Sequence, residues 1–142
     1  MLIYLAKLAG NNSPTTISIK MYLNIHTYYS LRYGTIDQKS LIEQAVESGY
    51  DSLVLTDINS TTACLDFVRL AKKSEVKPIL GVDFRNKVSQ QFIAIAQNDT
   101  GYFHINNYLS EFLHTANFEI PKRAKFLPST YIIYPFQNDV FE

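Results

Sequence analysis

The chain has 142 residues, 46% of them hydrophobic and 18% charged, and its thirteen basic residues are balanced by thirteen acidic ones. That composition excludes a disordered or fibrous chain, and the length allows one domain, or a piece of one, able to bury roughly 70% of its unfolded surface. Without a basic excess the chain cannot hold a phosphate backbone by charge alone, and its single cysteine, Cys64, excludes an internal disulfide and fits a reducing compartment.

Residues 1–9 are mostly apolar and residues 10–16 form a polar, loop-like run. An apolar stretch of about ten residues is too short for a bilayer, which needs about twenty, and Lys7 inside it spoils a signal peptide. Residues 1–20 are therefore expected to be a disordered, dispensable extension, with the domain running over 21–142. A short strand over 21–26 follows, with apolar and polar positions interleaved. Gly34-Thr35-Ile36-Asp37 opens a helix that repeats its apolar positions at Leu41, Ile42, Ala45 and Val46 and stops at Gly49. Residues 52–56 read as a strand buried on both faces. A helix over 63–74 offers Leu65, Phe67, Val68, Leu70 and Ala71 as its buried stripe.

Residues 77–84 form the third strand, with Pro78 tolerated near its start. A polar turn over 85–90 leads into a strand over 91–96. A helix beginning at Asn98 then runs through Ile105, Tyr108, Leu109, Phe112 and Leu113. A basic loop over 121–128 and a fifth strand over 131–134 complete the series. Strands alternating with helices define an α/β domain with a mainly parallel sheet. Nothing after 134 closes that sheet, so the domain is expected to be truncated at its carboxyl end.

In such folds, function sits on the loops at the carboxyl ends of the strands. Those loops hold Asn24-Ile-His26-Thr-Tyr-Tyr-Ser-Leu-Arg-Tyr33-Gly34, then Thr56-Asp57-Ile58-Asn59, then Gly81-Val-Asp83; the last closes the segment Lys77-Pro-Ile-Leu-Gly-Val-Asp83, and a later segment reads Ala96-Gln-Asn-Asp-Thr-Gly-Tyr102. In order and spacing, over about residues 21–113, these segments resemble the PHP (polymerase and histidinol phosphatase) domain. The branch they resemble opens the alpha subunit of bacterial DNA polymerase III. The family pattern is His-x-His-[Ser/Thr]-x-Tyr-Ser-Leu-x-Asp-Gly, then Thr-Asp-His, then Lys-Pro-Ile-x-Gly-x-Glu, then Ala-x-Asn-x-x-Gly-Tyr. The resemblance implies the first part of a distorted (β/α)7 barrel, of about seven strands.

In active PHP domains the imidazoles and carboxylates of those motifs help hold divalent ions that generate hydroxide and clamp a phosphate ester. Here the pattern departs at four positions: Asn24 stands for the first His, Tyr33 for the Asp, Ile58 for the third His and Asp83 for the Glu, while His26 and Asp57 remain. Isoleucine cannot coordinate, and tyrosine is a poor substitute for a carboxylate with hard ions. These positions are therefore read as vestigial, with no metal and no catalytic residue expected. Under the alternative reading, a metal-dependent PHP phosphoesterase, zinc, manganese or magnesium would be the cofactor.

The remaining residues have plainer expectations. His26 reads as a hydrogen-bonded, partly buried histidine and Asp57 as a cap or loop anchor. Tyr22, Tyr28, Tyr29 and Tyr33 read as core packing in preference to base stacking, and Cys64 as an inert buried thiol. His104, His114 and the patch at Lys122, Arg123 and Lys125 read as solvated surface. The resemblance implies a parent DNA-directed DNA polymerase, a nucleotidyltransferase whose palm this chain lacks. The domain itself would be a catalytically silent platform, joined to the rest of the alpha subunit, in some members docking the proofreading exonuclease. DNA contact would come through the parent protein, in the cytoplasm and with no membrane.

Overall fold

A computed structural model describes residues 2–5, 19–115 and 119–136. Nine elements occur in the order β1 (Leu2–Leu5), β2 (Ile19–Ile25), α1 (Gln38–Glu47), β3 (Ser52–Leu55), α2 (Cys64–Ala71), β4 (Lys77–Asn86), β5 (Ser89–Ala96), α3 (Asp99–Leu113) and β6 (Thr130–Ile133). The six strands form one sheet in sequence order. β2, β3 and β4 pair in parallel, whereas β1–β2, β4–β5 and β5–β6 pair antiparallel, so four of the six strands run the same way.

Residues 2–5 pair with residues 19–22 of β2, within the stretch the sequence reading set apart as an extension. The run Leu2-Ile3-Tyr4-Leu5 combines β-branched, aromatic and aliphatic residues, which favours an edge strand as much as a loose tail. Residues 6–18 lie outside the described residues. Helix ends follow the capping chemistry. Asp37 caps α1 by accepting from the backbone N–H of Lys39 and Ser40, and Asn98 caps α3 by accepting from Gly101. α2 is shorter than expected, and Leu65 is 65% exposed, so it does not belong to the buried stripe.

All three helices cover one face of the sheet. α1 and α2 pack Ile42, Ala45, Cys64, Phe67 and Ala71 onto Ile25, Leu53 and Leu55. α3 packs Ile105, Tyr108 and Leu109 onto Val82, Phe84, Phe92 and Ala94, with Ile120 and Leu127 from the long loop completing that cluster. Alternation of side chains along the strands sends Leu23, Val54, Ile93 and Ile95 to the opposite, concave face, where they meet Met21, Ile79 and Ile133. A trough of about 850 Å³ lies over that face. β4 and β5 form a hairpin that is longer than the sequence reading allowed. Residues expected in its turn, Arg85 and Asn86, instead pair with Gln90 and Ser89.

Candidate functional site

The carboxyl ends of β2, β3 and β4 bring His26, Asp57, Ile58 and Asp83 together, and a backbone scaffold holds them there. β3 is followed by a segment that keeps pairing with β4: Asp83 N–H donates to the Asp57 carbonyl at 3.2 Å, and Asn59 N–H donates to the Asp83 carbonyl at 3.0 Å. Ile58 and Asp83 thus face each other across a parallel bridge. The Asn59 side chain extends the ladder one step further. Its amide donates to the Arg85 carbonyl at 2.7 Å and its oxygen accepts from the Arg85 N–H at 2.9 Å.

Asp57 is buried and, of the two roles its position suggested, anchors loops and does not cap α2. Its carboxylate accepts from the Thr27 backbone N–H at 2.7 Å, the Thr27 hydroxyl at 2.7 Å and the Ser30 hydroxyl at 2.6 Å. Ser30 Oγ in turn accepts from the Ile58 N–H at 2.9 Å. These charge-assisted bonds fix the loop after β2 against the loop after β3. Gly34 lets that loop fold back: a Cβ there would stand 1.9 Å from the Thr27 carbonyl oxygen.

Asp83 is fully buried, and its Oδ2 is crowded. His26 Nε2 lies at 3.0 Å, Arg85 Nε at 3.0 Å, an Arg85 Nη at 2.8 Å and Gln90 Nε2 at 2.9 Å. Asp83 and Arg85 share a strand face because side chains alternate with period two. Burial pushes the Asp83 carboxyl up, but the hydrogen bonds from His26, Arg85 and Gln90 outweigh it and hold the group below its ordinary value. Burial likewise opposes the Arg85 charge, and the Asp83 carboxylate beside it more than compensates, so its pKa rises. The guanidinium also lies over the Tyr33 ring, 4.9 Å from its centroid. Asp83 Oδ1, also buried, has no hydrogen-bond partner.

The other positions of the family pattern are occupied differently. Asn24 sits at positive φ, 60°, beside a register shift in β2, and its side-chain oxygen accepts from the Thr56 hydroxyl at 3.1 Å. Ile58 is half-buried hydrocarbon and Tyr33 is exposed beneath Arg85. The donor set does not fit a divalent cluster: Ile58 carries no ligand atom, Tyr33 offers only a phenol, Asp57 already accepts three hydrogen bonds, and Asp83 already holds a cation. Among the described residues, no group of three or more His, Cys, Asp or Glu side chains converges.

Sequence reasoning missed Thr27, Ser30, Asn59, Arg85 and Gln90. The alternation Asp83-x-Arg85 was the available signal for the ion pair, lost once Arg85 was assigned to a turn. Tyr22, Tyr28, Tyr29 and Tyr33 are all exposed, correcting their assignment to the core. Tyr28 and Tyr29 instead pack on each other, centroids 4.7 Å apart. Cys64 is buried, which pushes its thiol up to about 11 and leaves it inert at neutral pH. His104 is half-buried against Phe103 and His114 is exposed. Lys125 in the basic loop pairs with Glu111 and lies over the Tyr108 ring, tying that loop to α3.

A one-sided α/β sheet with polar loops gathered at the parallel strands' carboxyl ends is the arrangement expected of a PHP domain. The chain belongs to the PHP domain family, which matches residues 23–133. Among curated proteins it is similar to DNA polymerase III subunit alpha from Ureaplasma parvum, with 32% identity over 98 residues, covering 69% of this chain and 10% of that protein. The corresponding subunit from Borreliella burgdorferi is 28% identical over 96 residues, covering 58% and 8%. An error-prone DNA polymerase from Symbiobacterium thermophilum is 26% identical over 90 residues, covering 63% and 8%. The chain therefore spans about a tenth of the length of the curated relatives it matches. A solved structure of a candidate metal-dependent phosphoesterase from Bifidobacterium adolescentis aligns with a TM-score of 0.47 at 19% identity, covering 61% of this chain and 30% of that one. No described helix is long and apolar enough to cross a membrane.

Proposed function

We propose that this chain serves as the amino-terminal PHP-like domain of a DNA polymerase III alpha subunit, catalytically silent in itself and acting in DNA replication in the cytoplasm. Its role is that of a platform for the rest of the subunit and a docking surface for the proofreading exonuclease. Nucleotidyl transfer and DNA binding would belong to the parent polymerase. The similarity to polymerase alpha subunits supports the replicative assignment. The observation that carries the silence is Ile58, a hydrocarbon side chain held beside Asp83 at the place where the family pattern has an imidazole. Hydrolysis of a phosphomonoester needs ions that activate water and clamp the ester, and these residues offer too few donors for them.

Two measurements test the reading. The purified chain, assayed with p-nitrophenyl phosphate in manganese and in zinc, is expected to show no hydrolysis above buffer. Metal-dependent turnover abolished by Asp83→Asn would overturn the silent reading in favour of a phosphoesterase. Co-elution of the chain with the proofreading exonuclease of the same organism tests docking. Separate elution at tens of micromolar would remove that role.

A further inference from the structure

We propose that the Arg85 guanidinium is a resident cation for this cleft, occupying on Asp83 the position a divalent ion would take and so closing the site to metals. A buried carboxylate needs a compensating positive charge, since an unpaired ion in a protein interior is strongly disfavoured. In a metal site that charge comes from the ion. Here it comes from the chain itself: two guanidinium N–H groups reach Asp83 Oδ2 at 2.8 and 3.0 Å. The arrangement is built and not incidental. The Arg85 backbone is clamped on both its N–H and its carbonyl by Asn59, and its guanidinium is covered by the Tyr33 ring. Tyr33 and Arg85 thus act together, the aromatic face standing where a ligand carboxylate would compete for the cation.

The unpartnered Asp83 Oδ1 is the second observation. A guanidinium bonded to one oxygen leaves the other buried and unsatisfied. A metal ion has no directional donors and would use either oxygen, so Oδ1 is an acceptor position for which Arg85 supplies no hydrogen. Removing the guanidinium would leave a buried carboxylate with His26 and Gln90 still on Oδ2 and with Oδ1 open to a small cation.

This inference rests on the non-hydrolytic reading above, but its test reads stability and metal affinity, so either can fail alone. Thermal midpoints of the wild-type chain, Arg85→Ala, Arg85→Lys and the charge-free pair Asp83→Asn with Arg85→Gln are compared in EDTA and in 1 mM manganese, with calorimetric titration of each. The wild-type midpoint is expected to be the same in both buffers. Arg85→Ala should fall by about 10 °C in EDTA, the consequence of an uncompensated buried charge. Manganese should then recover part of that loss, with a measurable heat of binding. Arg85→Lys and the charge-free pair should show no manganese response. If Arg85→Ala is insoluble in EDTA, recovery of soluble chain by manganese during refolding answers the same question. Failure of manganese to help Arg85→Ala in either format, or a manganese-stabilised wild type, overturns the proposal. Neither result by itself restores hydrolysis.

Discussion

Replacing Asp57 by Ala tests whether the loops at the site are held by one buried carboxylate. Three donors converge on it at 2.6 to 2.7 Å, and both Thr27 and Asp57 are essentially inaccessible to water. Leaving a buried donor unsatisfied costs about 1–3 kcal/mol, so three donors bound the loss at roughly 3–9 kcal/mol. A water entering the vacated space would satisfy one or two of them, which brings the expected loss to about 4 kcal/mol. At about 2.1 cal/mol/K per residue of unfolding entropy, a domain of this length loses about 3 °C per kcal/mol, so the midpoint should drop by about 12 °C. Urea unfolding measures the free energy, and a double-mutant cycle with Ser30→Ala locates it. Ser30→Ala should cost about 1.5 kcal/mol in the wild type and clearly less beside Asp57→Ala, where only the bond from the Ile58 N–H is left to lose. A loss below about 1 kcal/mol for Asp57→Ala, or full additivity with Ser30→Ala, would refute the network and favour a local role at the start of α2.

Two glycines separate close approach from backbone conformation. Gly101→Ala puts a Cβ 2.0 Å from the Ser129 carbonyl oxygen and should cost about 2–3 kcal/mol in urea unfolding, whereas Gly49→Ala, with φ +67° and open space around it, should cost about 1 kcal/mol. The concave face opposite the helices should bind an apolar fluorescent dye, and Ile79→Glu on that face should reduce the signal while leaving the far-ultraviolet dichroism unchanged.

The elements that sequence periodicity revealed are those whose burial follows a single rule. β3 reads as a continuous apolar run because its side chains are buried on both faces of the sheet, and α3 is announced by Asn98 and by Ile105, Tyr108 and Leu109 on one stripe. Boundaries failed where tertiary pairing overrode local polarity. Arg85 and Asn86 look like turn residues, yet Asn59 satisfies the backbone of the first, and the side chain of the second bonds Ile120 on both its N–H and its carbonyl. The same override hid the site. Asp83 was legible as the end of a strand and as a vestigial position, but the partner that neutralises it sits two residues further along, in the stretch assigned to a turn. Asp57 was legible as a cap or a loop anchor, but its partners, Thr27 and Ser30, were not, because they lie about thirty residues away in sequence. Local capping rules cannot see a contact at that separation. The exposed tyrosines failed for a related reason: aromatic content alone does not say which rings lie outside the helix-covered face.

Acid dependence follows from the Asp83 pair with a definite sign. The folded chain holds this carboxyl below its ordinary value, whereas in the unfolded chain it titrates as an ordinary aspartate, at about pH 4. Its contribution is therefore fully present above about pH 4 and is lost as pH falls through the folded value, at no more than about 1.4 kcal/mol per pH unit for one group. Arg85→Ala removes the guanidinium's hydrogen bonds and its charge while leaving the burial that pushes the carboxyl up. The folded value must then rise toward or past the unfolded one, so the stability lost on acidification must shrink or change sign. Asp83→Asn removes the titration altogether, so its urea midpoint should vary less between pH 3 and pH 6 than that of the wild type. Urea midpoints measured across that range for the three chains separate the cases. Parallel curves for the wild type and Arg85→Ala would mean that Arg85 does not set the charge state of Asp83. The low value would then have to come from His26 and Gln90, the two other groups bonded to the same oxygen.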